Sequence, residues 1–429
     1  MRFRLSPVQM MYQLGTRPKA DAAFDYRTPL DLVGVPCHAY YEFASQHIDA
    51  KRLQWAWSAV IQAHPMLRAK YSSEGFGEFG DEAYSQRVAV FDLSAFSPKR
   101  TADELLTIRE KLEGRITRHE EGQVVGLALA VLDELNAVVM FDASLVACDV
   151  RSIHTVLQEL HDLYQGTLDP KDIHDLNPES LNQLIENRFA APNRENETFW
   201  KRTLPKMQTE TPCLENFAYN IDNAVLAEHR YRSLNVLLQG TQAAGFRKQA
   251  EACGISPYAL LLAYAAEALC TWMELRSFVA LVPVFNDPAK GESLSIVGDF
   301  TDLGAIQVVR DNDIERMARS IDEDLRAATR HACRCTKVVQ DELAAHHISP
   351  LIVFTMVPGT NIVGSAAKPS LGYLSYSCSQ TPQVALDIQV EDFGEGYLVH
   401  WVFPNGLFDE TELEECVERF QTACTAFER

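Results

Sequence analysis

Acidic and amide side chains interrupt an apolar segment near the C-terminal end of the 429-residue chain. In residues 383–390, apolar residues alternate with Gln383, Asp387 and Gln389. Alternate residues of a strand point to opposite faces, so these three side chains are predicted to share one face. A carboxyl group buried beside amides has a raised pKa and can exchange protons with a reacting group. The segment therefore predicts either a sheet with one solvated face or the polar wall of a reaction channel with Asp387 as acid or base.

Two further polar residues lie within or directly after apolar runs in the same half of the chain. Thr355 belongs to a predicted strand at residues 351–356, and Asn286 follows an apolar run at residues 279–285. Threonine is frequent in strands and asparagine in turns, so purely structural roles are an alternative for both. We retain Asn286 and Gln383 as candidates for contacts with a substrate.

A second polar set lies between a predicted strand and a predicted helix, at residues 142–152. Asp142 and Ser144 share one face of the strand, and Asp149 and Ser152 follow at the start of the helix. A carboxylate at such a junction usually organises the backbone. We therefore interpret Asp149 as a helix cap, or as the partner of a buried arginine, in preference to a catalytic group.

Several classes of function are disfavoured by motif and composition. The sequence contains no GxxxxGK[ST], HExxH or GxSxG motif and no GxGxxG after a strand. Its net charge of −20 argues against nucleic acid and against a polybasic membrane contact. Its 10 cysteines form no CxxC pair, which favours a reducing, cytoplasmic compartment and no metal site.

The elements that must position these residues show both helical and strand periodicity, which predicts an α/β or α+β protein. Predicted helices cover residues 50–63, 152–164, 255–273 and 410–426, and predicted strands cover residues 66–71, 137–144, 278–285, 351–356, 383–390 and 397–403. Ser256 and Asp409 are expected to be helix N-caps. Residues 166–196 are poor in periodic apolar residues and predict a linker. His64 precedes a proline and is interpreted as a packed or capping residue.

Six motifs in order along the chain resemble those of the heterocyclization domains of non-ribosomal peptide synthetases. They are residues 5–9 with Tyr12 and Gly15, 34–38, 64–68, 297–301, 379–387 and 403–409. The most specific is Ser-Gln-Thr-Pro-Gln-Val at residues 379–384, followed by Leu386 and Asp387. One such motif would be a weak signal, whereas six in the same order form a specific one.

The resemblance implies a fold and a set of partners. Two lobes, each similar to chloramphenicol acetyltransferase, are expected to form a V-shaped pseudo-dimer around a central tunnel. We expect the N-terminal lobe at residues 1–175, a linker at 176–195 and the C-terminal lobe at 196–429. Partners would be donor and acceptor carrier domains and adjacent synthetase domains, with substrates on phosphopantetheine arms and no directly bound cofactor. An isolated domain of this kind is expected to be monomeric and to bind neither nucleic acid nor membrane.

The resemblance also implies an activity. The domain would condense a carrier-bound acyl, aryl or peptidyl thioester with carrier-bound Cys, Ser or Thr. It would then cyclodehydrate the product to a thiazoline or oxazoline, as in siderophore biosynthesis. The resemblance places the cyclodehydration residues at Thr355 and Asp387.

One motif departs from the family pattern, which has two aspartates five positions apart and a serine three positions later. Ser144 replaces the first aspartate and is kept, like Asn286 and Gln383, as a candidate for a substrate or tunnel contact. Asp149 and Ser152 are retained, and residues 144–152 contain no histidine for the mechanism of ordinary condensation domains. Asp142 lies about 6.6 Å away along the strand and is expected to substitute poorly. Three alternatives follow: a member of a tandem pair that performs only condensation or only cyclodehydration, a degenerate carrier-docking scaffold, or a free-standing acyltransferase that uses a coenzyme A thioester.

Overall fold

The computed structural model describes residues 1–16, 36–80, 87–115, 117–189, 193–207, 231–286, 296–357, 371–382 and 384–426. Helices and strands alternate along this part of the chain and form three sheets of three, five and six strands. The predicted mixed α/β class is therefore confirmed.

The described residues form 14 strands and 11 α-helices. The first half contains β1 (Arg2–Arg4), α1 (Pro7–Gly15), β2 (His38–Gln46), α2 (Ala50–Ala63), β3 (Lys70–Tyr71), β4 (Phe76–Glu78), β5 (Ala89–Asp92), α3 (Pro98–Glu113), β6 (Val125–Val131), β7 (Asn136–Ser144), α4 (Val150–Gln165), α5 (Pro178–Arg188) and α6 (Arg194–Thr203). The second half contains β8 (Tyr231–Gln239), α7 (Gly240–Cys253), α8 (Pro257–Trp272), β9 (Ser277–Phe285), β10 (Thr301–Val309), α9 (Ile314–His331), α10 (Thr336–Ala345), β11 (Ile352–Val357), β12 (Tyr373–Gln380), β13 (Leu386–Asp392), β14 (Gly396–Pro404) and α11 (Glu410–Thr425). The four predicted helices and five of the six predicted strands are confirmed, with small differences at their ends.

Polar residues at the helix starts explain where several helices begin. The side chain of Ser256 accepts a hydrogen bond from the backbone N–H of Ala259, and that of Asp409 accepts one from Glu412. Such caps satisfy N–H groups that lack a partner within the helix. The predicted N-caps of α8 and α11 are thereby confirmed.

The predicted strand at residues 66–71 is wrong over most of its length. Pro65–Arg68 forms a 3₁₀ turn, and only Lys70–Tyr71 is a strand. Proline favours the first position of a helical turn, and the turn buries Met66 and Leu67 together. The adjacent apolar residues therefore reflect a buried turn and not a buried strand.

Two sheets carry the two main cores. The first sheet has the strand order β12-β2-β7-β6-β5, and the second sheet has the order β10-β9-β11-β13-β14-β8. Helices α2 and α4 contribute to the core on the first sheet, and α8, α9 and α11 to the core on the second. Within the second sheet, β11 is parallel to both β9 and β13, while the remaining pairs are antiparallel.

The chain crosses from one sheet to the other immediately before β13. Strand β12 pairs with β2 and so completes the first sheet with a strand from the second half of the chain. Residues 381–385 then lead into β13 of the second sheet, and the hydroxyl of Tyr231 donates a hydrogen bond to the carbonyl of Thr381 at 2.9 Å. This crossover places the start of β13, and with it Asp387, at the junction of the two sheets.

The segment for which the sequence predicts a linker contains a helix. Leu181 and Ile185 of α5 are buried in the core of the first sheet. Arg188, at the end of α5, forms an ion pair with Asp302 of β10 at 3.0 Å. Helix α5 thus packs on the first core and contacts the second half of the chain.

Helix α8 is the most apolar helix, and it lies inside the core of the second sheet. In the described ranges, no single helix has both the length and the apolar character required to cross a membrane. Helices α7 and α8 pass that criterion only as a pair, and they are bent by 100° relative to each other.

Candidate active site

A row of polar side chains crosses one face of the second sheet. The strand register places Thr355 opposite Gln389, Gln389 opposite His400, and His400 opposite Asn235. Asp387 lies two residues before Gln389 and therefore shares its face. The intervening residues of β13 are apolar and belong to the core of the second sheet. The alternation predicted for this strand is thus observed from residue 386 onward.

Thr355 and Asp387 are in direct contact. The hydroxyl of Thr355 donates a hydrogen bond of 2.8 Å to Oδ1 of Asp387, and Nε2 of Gln389 donates one of 2.9 Å to Oδ2. The side chain of Asp387 is only 5% exposed. Both oxygens of a buried carboxylate therefore accept a hydrogen bond from a neutral donor.

Burial dominates the acid–base properties of Asp387. It raises the pKa of this carboxyl to about 6, against the opposing effects of the hydrogen bonds from Gln389 and Thr355 and of the charge of His400. A group that changes protonation near neutral pH can both accept and return a proton during a reaction. Asp387 consequently has the chemistry expected of a proton shuttle.

Two tyrosines approach this carboxyl from other elements. Burial raises the pKa of Tyr12 and of Tyr231, and the charge of Asp387 contributes to both increases. Gly15, at the end of α1, lies against Pro382 of the crossover, where a larger side chain would clash. The site is therefore enclosed by α1, β8 and the crossover segment as well as by β11 and β13.

Ser144 occupies a separate, fully buried position at the end of β7. Its hydroxyl shares a hydrogen bond of 2.7 Å with Nε2 of His119 and accepts one of 3.2 Å from the backbone N–H of Val146. Burial lowers the pKa of His119 to about 4, so its imidazole is neutral and can accept a hydrogen bond from the serine hydroxyl. Ser144 thus satisfies a buried histidine and makes no hydrogen bond with Thr355 or Asp387.

Asp142 does not fill the position of the absent family aspartate. Its buried carboxylate forms an ion pair with Arg115 and lies against Gly126, where a Cβ would clash with it. The carboxylate is therefore held by its own partner, two residues away from Ser144 along the strand.

Asp149 and Ser152 connect the start of α4 to residues 297–300 by hydrogen bonds. Oδ1 of Asp149 accepts a hydrogen bond from the N–H of Ser152 at 2.8 Å, and Oδ2 accepts one from the N–H of Phe300 at 3.2 Å. The hydroxyl of Ser152 donates to the carbonyl of Gly298 at 2.7 Å and accepts from its N–H at 3.0 Å. Asp149 and Ser152 thus cap α4 and position a segment of the second half of the chain.

Asn286 has a similar connecting role at the end of β9. Its Nδ2 donates hydrogen bonds of 3.0 Å to Oδ2 of Asp302 and to the carbonyl of Phe300. Gln383, which is also a candidate for a substrate contact, lies outside the described residues.

Two buried polar residues of this region were not singled out by the sequence analysis. His119 lies 25 positions before its partner Ser144, and no local pattern connects them. Asp299 belongs to the motif at residues 297–301, and that motif alone assigns it no separate role. Burial, together with the charge of Asp149, raises its pKa to about 7. The sequence pattern that could have identified Asp299 is an acidic residue among apolar neighbours.

The sequence matches the family model described as the condensation domain over residues 38–427. It is similar to phenyloxazoline synthase MbtB of Mycolicibacterium paratuberculosis, with 27% identity over 95% of this chain and 34% of the relative. It is also similar to pyochelin synthetase PchE of Pseudomonas aeruginosa, with 26% identity over 98% of this chain and 29% of the relative. The chain thus spans about a third of the length of these curated relatives.

Solved structures match the whole described fold. The cyclization-docking bidomain of the non-ribosomal peptide synthetase EpoB from Sorangium cellulosum gives a TM-score of 0.81 at 20% identity, covering 100% of this chain and 84% of that chain. The condensation domain of the monacolin K polyketide synthase MokA gives a TM-score of 0.72 at 15% identity, covering 100% and 97%. At these identities the likeness establishes the fold.

Proposed function

The chain belongs to the condensation-domain family, and we propose that it is a heterocyclization domain of a non-ribosomal peptide synthetase. The buried hydrogen bond between Thr355 and Asp387 carries this proposal, because it joins the two residues that the family resemblance assigns to cyclodehydration. A relative named as a phenyloxazoline synthase and a structural neighbour named as a cyclization bidomain support a ring-forming reaction.

The substrates in this proposal arrive on the phosphopantetheine arms of donor and acceptor carrier domains. The lobes at residues 1–175 and 196–429 form a tunnel between them, in which the two arms meet. The domain then needs no bound cofactor of its own, and its eight buried, free cysteines among the described residues suit a reducing, cytoplasmic setting.

The first step forms an amide. The amine of the acceptor attacks the donor thioester, so that a C–N bond forms, the C–S bond breaks and the donor carrier leaves as a thiol. Holding two tethered reactants in register is worth roughly 7–11 kcal/mol, so alignment supplies much of the rate.

The second step closes the ring and releases one water. The side-chain thiol or hydroxyl of the acceptor residue attacks the new amide carbonyl and gives a tetrahedral intermediate with a hydroxyl group. The Asp387 carboxylate accepts the proton of the ring nitrogen and returns it to the departing hydroxyl, so that no net proton is consumed. The hydroxyl of Thr355 orients Asp387 by donating its one proton to Oδ1, and its oxygen accepts a hydrogen bond from the hydroxyl of the intermediate.

The environment of Ser144 bears on whether both steps take place. A neutral hydrogen bond to His119 satisfies the site where the family pattern has a carboxylate. Because the substitution is accommodated in the core and leaves Thr355 and Asp387 in contact, we propose that both steps are retained. A member of a tandem pair that has lost one step is the second candidate, since Ser144 does depart from the pattern.

Reconstitution with loaded donor and acceptor carriers tests the proposal, with intact-protein mass spectrometry of the acceptor carrier. A gain of the donor acyl group followed by loss of one water supports it. A product that retains this water indicates a condensation-only domain, and an unchanged carrier indicates a scaffold without chemistry.

A further inference from the structure

Asp299 lies in a segment of the second half of the chain that is inserted into the first core. Val297 and Phe300 are buried in the core of the first sheet, and Gly298 is held by both hydrogen bonds of Ser152. The backbone N–H of Val297 also approaches Oδ2 of Asp175 at 3.4 Å. The position of Asp299 is therefore fixed from both sides by buried contacts.

One oxygen of Asp299 is unsatisfied. Oδ1 accepts a hydrogen bond from the N–H of Thr301 at 3.1 Å, whereas Oδ2 is buried with no hydrogen-bond partner among the described residues. The residue is only 6% exposed. Burying a carboxylate oxygen without a hydrogen-bond partner costs folding free energy. A purely structural role therefore does not explain an aspartate at this position.

Asp149 is the carboxyl that faces Asp299, and the two differ in their hydrogen bonds. Burial raises the pKa of Asp149, against backbone N–H bonds to both of its oxygens that favour its ionised form. Asp299 has one backbone N–H bond, and burial together with the charge of Asp149 raises its pKa to about 7, against hydrogen bonds from the backbone and side chain of Thr301 and the charge of Arg188. The other titratable or charged groups whose fields couple to Asp299 are Tyr12, Cys37, Tyr71, Cys148 and Arg188.

Helix α1 lies between the surroundings of Asp299 and Asp387, since the charges of both carboxyls contribute to the raised pKa of its Tyr12, after burial. Ser6 and Gln9, at the start of α1, line a cavity of about 160 Å³ together with Asp299. Gly15, at its end, abuts the crossover before Asp387. A nine-residue helix is about 13 Å long, so one short helix contacts the surroundings of both carboxyls.

Residues 144–152, the segment that lacks a histidine, approach the surroundings of Asp299 from the first sheet. The N–H of Leu145 donates to the carbonyl of Cys37 at 3.2 Å, and the charge of Asp299 contributes to the raised pKa of the Cys37 thiol, after burial. Asp299 therefore comes from the second half of the chain toward residues 144–152, whose own sequence has no histidine, while the imidazole of His119 contacts Ser144 from the first half.

We propose that Asp299 is the acid–base group of the amide-forming step, separate from the Thr355–Asp387 pair that closes the ring. This inference rests on the proposed function. The carboxylate accepts one proton from the acceptor ammonium group and gives an amine, which attacks the thioester. The nitrogen passes its second proton to the departing thiolate, and Asp299 releases the first proton to solvent. Each amide formed thus releases one thiol and one proton.

Asp299→Asn tests the assignment when the two steps are measured separately. Amide formation is followed with loaded donor and acceptor carriers over pH 5.5–8.5, and ring closure with a carrier preloaded with the linear condensed product. The variant is expected to lose about 100-fold in amide formation and the part of its pH profile that rises near pH 7, with ring closure unchanged. Thermal unfolding of the variant provides the folding control.

Equal loss in both steps, or an unchanged rate and pH profile of amide formation, would overturn the assignment. If Asp299→Asn folds poorly, Asp299→Ala is assayed with and without added formate. Amide formation that formate restores supports the role, and a rate that formate does not restore contradicts it. Failure of the wild-type domain to close the preloaded linear substrate would instead contradict the proposed heterocyclization function.

Discussion

The hydroxyl of Thr355 reaches Oδ1 of Asp387 at 2.8 Å across two neighbouring parallel strands. Thr355 is paired in register with Gln389, two residues beyond Asp387, so the contact is diagonal. Side chains at such diagonal positions remain within reach of each other on one face of a sheet. The register of β11 and β13 therefore determines whether the pair exists, and the crossover from β12 determines where it lies.

Ring closure should depend on pH through Asp387. Its carboxylate is the proton acceptor and its pKa is about 6, so the rate should rise as pH increases to about 6 and then level off. Gln389→Met removes a hydrogen bond that favours the ionised form, so the rise should move to higher pH. Single-turnover closure of a preloaded linear substrate measures both profiles, and an identical profile in the variant would argue against this role of Asp387.

Asp387 should also reduce the stability of the folded domain. Folding raises its pKa from 3.8 to about 6. The folded state is therefore most favoured below pH 3.8, where the carboxyl is protonated in both states, and this stability is lost as pH rises through 6. The loss is on the order of 3 kcal/mol above pH 6. Asp387→Asn is therefore expected to raise the free energy of unfolding at pH 7.5, with a smaller gain at pH 5. Urea denaturation at both pH values checks this, and a destabilised variant would contradict it.

Ser144 should prove structural. Ser144→Ala leaves Nε2 of the buried His119 without its partner and is expected to cost about 1–3 kcal/mol of unfolding free energy, with little change in the rate of ring closure. The matched double variant Ser144→Ala/His119→Leu removes both groups and should lose less than the sum of the single variants. A large loss of ring closure without loss of stability would place Ser144 in the chemistry.

His64 should make stability depend on pH in the alkaline range. Burial lowers its pKa, but hydrogen bonds of 2.7 Å to Asp175 and 2.6 Å to Glu159 outweigh burial and raise it to about 9. The stabilisation is therefore complete below pH 6.5 and lost as pH rises through 9, by on the order of 3 kcal/mol. His64→Gln does not titrate there, so wild type and variant should converge above pH 9. A constant difference in urea denaturation between pH 6.5 and 9.5 would be inconsistent with a protonated His64.

Local patterns predicted four of the 11 α-helices and five of the 14 strands in the described ranges, because periodicity depends only on neighbours in the sequence. Alternation identified the polar face of β13 and so Asp387, and Ser256 and Asp409 marked helix starts. Strand β12 was not predicted, because its partner β2 lies more than 300 residues earlier and periodicity does not report long-range pairing.

The polar contacts of the site depend on the same long-range packing. The contact of Ser144 with His119 joins residues 25 positions apart within the first half of the chain, and the insertion of Asp299 beside Asp149 exists only after the two cores have come together. Family resemblance assigned Thr355 to the site, since a threonine in an apolar strand is ordinarily only a strand former.

The most direct measurement compares wild type with Asp387→Asn in a reconstituted reaction with both loaded carriers, using the intact mass of the acceptor carrier over time. We expect wild type to form the condensed product and then lose one water. We expect Asp387→Asn to form the condensed product and retain that water, because amide formation does not need this carboxyl. Ring formation by the variant at a rate near that of wild type would show that Asp387 is not the acid–base group.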